Sequence, residues 1–145
     1  MKEIKIGGRE IPLLYTTWEL IAIQEEIGCT GHQLRDDVFG IRQEDEDDPN
    51  SIVFDCVTHG EKTKKLGKLI RILGNAGLEE SGQEPDLTDK WVLRNMKPGM
   101  IIMYALALYA VINEGNRIEN TTPKEEEGAV DEGLEEQNAK KQPGN

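Results

Sequence analysis

The stretch Lys2–Gly28, KEIKIGGREIPLLYTTWELIAIQEEIG, decides how the chain begins to fold. Lys2–Ile6 alternates, with Ile4 and Ile6 on one face. Arg9–Tyr15 follows with Ile11 and Leu13 on one face. Two short alternating runs joined by Gly7-Gly8 predict a β-hairpin, because a two-residue turn of this kind needs positive φ at both positions. Pro12 limits the second strand to an edge or an early end. Thr16-Thr17-Trp18-Glu19 then spells a capping box, with Thr16 as cap and Glu19 at the third position. Leu20, Ile23 and Ile27 recur at helical spacing with Glu25 and Glu26 on the wet side, and Gly28 supplies a left-handed stop. A helix over about 17–27 is therefore predicted to cover the hairpin, which alone would be marginal in water.

Working outward, the rest reads as mainly helical. Thr30–Phe39 fits a short helix ended by Gly40, and Ile52-Val53-Phe54 is an apolar patch whose period does not separate strand from helix. Lys62–Ala76 carries the inner stripe Leu66, Leu69, Ile70 and Leu73, with Gly77 as its expected end. Lys64, Lys65, Lys68 and Arg71 lie on the outer side. With Lys62 they form a basic face that reads as a solvated one. Thr88 caps the next helix ahead of Trp91, Val92 and Leu93. Pro98 suits the first turn of the last one, about 98–115. The expectation is an α+β, mainly helical domain: an N-terminal hairpin on a bundle of about four to five helices.

Charge divides the chain. Of 145 residues, 28 are acidic and 17 basic, for a formal net charge of −11. The segments 42–50 (RQEDEDDPN) and 118–145 carry −4 and −5 of it. Neither has the apolar content to offset the entropy of ordering. A single globular domain over 1–117 is therefore expected, with a flexible acidic loop at 42–50 and a disordered acidic tail at 118–145. The excess of anions argues against nucleic acid and anionic membrane as partners. The longest apolar run, Met100–Ile112, has thirteen residues, short of the ~20 of a membrane span. No apolar segment follows the first charges, and only two cysteines occur. Both features fit a reducing cytoplasm.

Catalytic chemistry finds no foothold. No serine sits in a nucleophile elbow, and Gly7-Gly8 lacks the rest of a phosphate loop. Asp36-Asp37 and the acid run 44–48 read as solvated carboxylates, and the run lacks the glycine and terminal glutamate of a calcium loop. No enzyme activity and no cofactor are predicted. The sequence does repeat one metal-type spacing, Cys29-Thr-Gly-His32 and Cys56-Val-Thr-His59, four residues of the kind that close a tetrahedral zinc site. Spacing alone does not bring the pairs together, and a buried thiol is the commoner reading of each cysteine.

The last helix carries the functional signal. Met100–Ile112, MIIMYALALYAVI, is apolar on every face. If Ile101, Tyr104, Leu108 and Ile112 cover the core, the opposite side, with Met103, Leu106 and Tyr109, needs another cover, which a partner, a homo-oligomer or the rest of its own domain around a central helix would give. Met100 and Met103 are adaptable fillers of the kind used at permissive surfaces. Met100, Met103, Leu106 and Tyr109 are the candidate partner-binding residues.

KIGGREIPLLYTTWELIAIQEEIG (5–28) and LIRILGNAGLEESGQEPDLTDKWVLRNMKPGM (69–100) resemble the tail assembly chaperones of long-tailed phages and Gram-positive prophages. The shared features are the opening hairpin, a helix ending in Glu25-Glu26-Ile27-Gly28, an apolar helix and a loose acidic tail. The resemblance spans most of residues 2–117 and rests on apolar and turn patterns. It implies a non-enzymatic protein of the bacterial host's cytoplasm, absent from the finished virion. Such a protein binds the helical tape measure protein and brings tail tube protein to it. It also implies a longer fusion form made by ribosomal slippage, with which Lys140-Lys141 is compatible. No binding residues carry over from the family. A structural or adaptor subunit of the tail and a small zinc-stabilised binding module are the alternatives.

Overall fold

The computed structural model describes residues 1–29, 33–57 and 59–118. Strands β1 (Glu3–Ile6) and β2 (Arg9–Pro12) pair antiparallel, with Ile6 opposite Arg9. Gly7 and Gly8 turn the chain at φ 59° and 78°, as a type I′ turn requires. Helix α1 (Thr17–Glu26) opens with the full capping box: the Thr16 amide donates to Glu19 at 2.8 Å, and the Thr16 hydroxyl accepts from the first turn. That reciprocal bonding accounts for a carboxylate as buried as Glu19.

A π-helical turn, α2 (Leu34–Phe39), follows and ends at Gly40 with φ 61°. The expected start of this element at Thr30 lies outside the described residues. Strands β3 (Ile41–Gln43) and β4 (Ile52–Phe54) then form a second antiparallel hairpin. The acidic segment 42–50, expected as a loose loop, thus begins inside a strand and caps this hairpin. The Gln43 carboxamide donates to the carbonyls of Asp45 and Asp48, and the Ser51 hydroxyl to those of Asp45 and Asp48. The expectation for 118–145 lies, from residue 119 on, outside the described residues.

Helix α3 (Gly60–Glu80) is the axis of the fold. Leu66, Leu69, Ile70 and Leu73 are fully buried, and β2, α1, α2 and α4 (Asp89–Asn95) pack around it. Gly77 does not end this helix. It lies inside it, where the chain after β2 crosses so closely that the Leu14 amide donates to the Leu73 carbonyl at 3.1 Å. Arg71 ties three helices together, bonding Asp89 on α4 and Glu26 on α1, while Lys68 also reaches Asp89 at 2.8 Å. Helix α4 starts on the Thr88 hydroxyl, which accepts from the Trp91 amide. A 3-10 turn at Pro98–Met100 leads into the last helix, α5 (Ile101–Asn116). The whole is an α+β, mainly helical fold with two small hairpins.

Candidate functional site

Helix α5 is fastened at both ends and along one side. Near its start the Tyr104 hydroxyl donates to the Lys5 carbonyl of β1 at 2.9 Å. At its end the Tyr15 hydroxyl donates to Asn116 Oδ1 at 3.2 Å. Burial raises the pKa of both phenols, with the Asn116 contact pulling Tyr15 back in part, so both stay protonated donors at neutral pH. Ile101, Tyr104, Ala105, Leu108 and Ile112 form the buried side. Tyr109 lies on the flank, edge-on to Phe39 at 5.4 Å and to Phe54 at 5.8 Å between ring centres. It therefore belongs to an aromatic cluster with α2 and β4, and not to the exposed side with which the sequence groups it.

The opposite side is open. Met100, Met103 and Leu106 are 41%, 57% and 43% exposed. No charged residue occurs from Met100 to Asn113, so this side is apolar along most of the helix. Beside it, α5 and β1 enclose a shallow groove of about 350 Å³, lined by Lys2, Glu3, Ile4, Lys5, Met100, Met103, Tyr104, Leu106 and Ala107. The β1 wall carries no signal in the sequence, because Lys2, Glu3 and Lys5 read as the wet side of a hairpin. Trp18 and Ile21 on α1 form a second apolar spot, at 78% and 44% exposure. Their one-turn spacing was visible in the sequence, but the capping box around Trp18 reads as purely structural.

A larger cleft of about 540 Å³ lies between α1, α2 and the end of α5. Its floor is Leu20, Leu34, Phe39, Tyr109 and Ile112, and its rim is Arg35 with the carboxamides of Gln24, Asn113 and Asn116. Among the described residues no carboxylate, thiol or imidazole lines it.

The metal-type residues fare differently. Cys29 and Cys56 are both buried, and burial pushes both thiols up, away from the thiolate a metal needs. Lys65 partly offsets the effect at Cys29. His59 is half-exposed, with Nδ1 3.7 Å from Asp55, and His32 lies outside the described residues. Among the described residues no three His, Cys, Asp or Glu side chains gather as a metal site. The basic face of α3 is largely engaged: Lys64 pairs with Glu61, and Lys68 and Arg71 with Asp89.

Among the described residues Pro98–Asn116 is the one helix long and apolar enough, by length and composition, to cross a membrane. Among the described residues, fold and surface together define a small, mainly helical α+β protein whose helix α5 leaves one apolar side uncovered. No family model, curated protein or solved structure matches the chain.

Proposed function

We propose that the protein is a non-enzymatic tail assembly chaperone of a phage or prophage, which holds the helical tape measure protein and assists assembly of the tail tube around it. One observation carries the reading: α5 and the 3-10 turn before it turn Met100, Met103 and Leu106 outward while the other side of α5 builds the core. An apolar helix of a client lays side chains at i, i+3, i+4 and i+7 into such a surface. The unbranched methionines adapt to differing partners. The net charge of −11 keeps a loaded complex dispersed.

Covering three half-exposed side chains contributes about 3 kcal/mol, less than the cost of holding a partner in place, so the groove beside them has to add to the contact with a client.

Co-expression with the tape measure protein from the same tail gene cluster tests the reading. The wild type keeps that client soluble. Met103→Asp loses the client but keeps its own melting temperature within a few degrees, because exposed substitutions change stability by only about 0.5 kcal/mol. A client that stays soluble with Met103→Asp, or an insoluble client with the wild type, overturns it. Finished particles examined by mass spectrometry should lack the protein; finding it there in stoichiometric amount selects a structural subunit instead.

A further inference from the structure

The groove between β1 and α5 has two chemistries. Its floor is apolar, from Met100, Met103 and Leu106, and its wall includes the basic residues Lys2 and Lys5. Neither lysine has an ion pair among the described residues. Among the described residues Glu3 is the one carboxylate in the lining; Glu10 stands opposite Lys5 in the ladder but is not among the lining residues. A ligand that fits has small aliphatic side chains for the floor and carboxylates beside them for the lysines.

The chain carries one such segment. Beyond residue 118, Val130 and Leu134 are the only aliphatic residues larger than alanine. They lie four positions apart, each followed by two acids: Asp131 and Glu132, then Glu135 and Glu136. Reach is sufficient. From Met103 to Asn116 the helix rises about 20 Å, and the ten residues 119–128 span up to about 33 Å when extended. The chain leaves α5 at its far end and has length to double back to the groove.

We infer that the groove is a docking site for short aliphatic–acidic segments, and that its resident occupant is the protein's own stretch 129–136. This rests on the client surface proposed above and adds its regulation: the tail competes with a client for Met103 and Leu106. A tether of this length holds the segment at an effective concentration of roughly millimolar. A contact of about millimolar intrinsic affinity is then half-formed, and it weakens apparent client binding only about twofold. The tail thus covers the apolar side about half of the time and leaves it open to a client.

Methyl-labelled methionine in the full chain reads the contact directly. Of the four methionines, Met100 and Met103 line the groove, whereas Met96 is buried elsewhere and serves as the internal reference. The double variant Val130→Ser/Leu134→Ser should shift the Met100 and Met103 methyl signals and leave Met96 in place. A synthetic peptide of residues 127–137, added in excess to that variant, should restore the wild-type positions. Lys2→Ser/Lys5→Ser introduced into the same variant should weaken the peptide threefold or more. Unchanged Met100 and Met103 signals in the double variant, or a peptide that binds without moving them, overturn the inference. Neither result touches the client reading, which stands or falls on Met103→Asp in co-expression. Shifted methyl signals with no client binding would leave the tail contact standing alone.

Discussion

A Cβ at Gly77 would stand 2.0 Å from the carbonyl oxygen of Pro12 and 2.4 Å from its carbon. Both are backbone atoms, so no side chain can swing away. Gly74 faces a similar approach from Leu87 and Ile11, but there the obstacles are side-chain methyl groups. Gly77→Ala should therefore lower stability by about 3 kcal/mol, against the ~1 kcal/mol that alanine returns in helix propensity. Gly60→Ala, with open space around it, should be neutral or slightly stabilising. Urea unfolding of the two variants checks this. A Gly77→Ala protein as stable as the wild type would mean that α3 and the chain after β2 do not touch. In the sequence Gly77 signals a helix end, since the residue type is equally suited to a stop and to a close crossing. Only the partner backbone, more than sixty positions earlier, separates the two.

At the scale of elements, what the sequence discloses is what is settled locally. The Gly-Gly turn and the Thr16–Glu19 box each depend on residues within a few positions. The buried side of α5 repeats at helical spacing, so Ile101, Tyr104, Leu108 and Ile112 are identifiable without coordinates. The second hairpin is different. Its strands have three residues each, too few to show a period. Its ladder depends on Ile41 meeting Phe54 across an acidic loop. Tyr109 is hidden for the same reason, because its neighbours Phe39 and Phe54 come from two other elements. At the candidate site, the floor residues Met100, Met103 and Leu106 are legible and the β1 wall is not. The locally determined elements also give the sharpest test of the helix–hairpin unit. Thr16→Ala removes the hydroxyl that accepts from the Trp18 amide and donates to Glu19, and leaves only the backbone amide of residue 16 bonded to the buried carboxylate. It should cost about 1–2 kcal/mol, read as a lower urea midpoint with unchanged slope. No change would mean that α1 is held by packing alone.

For the molecule as a whole, charge and apolar surface act against each other, and pH separates them. At pH 7 the charge of −11 opposes contact between copies, and near the isoelectric point of 4.7 that repulsion is gone. The fold itself should persist there. Burial works against the Asp89 carboxylate, but its bonds to Lys68 and Arg71 and their charges outweigh that and hold its pKa below the ordinary value. A depressed folded-state pKa gives stability that is present above the unfolded value of about 3.9 and is lost as pH falls through the lower folded one. The clamp joining α3 to α4 is therefore still formed at pH 4.7 and fails only in stronger acid. Between those two points the protein should be folded and yet self-associating through the open side of α5. Light scattering should rise on approach to pH 4.7 while circular dichroism keeps its helical signal, and the scattering should reverse on return to pH 7. Met103→Ser/Leu106→Ser leaves the charge unaltered and should suppress the rise severalfold. Equal scattering by variant and wild type would place the adhesive surface elsewhere, with Trp18 and Ile21 on α1 the next to substitute. Loss of helical signal before scattering begins would show that Asp89 does not hold the helices together in this range.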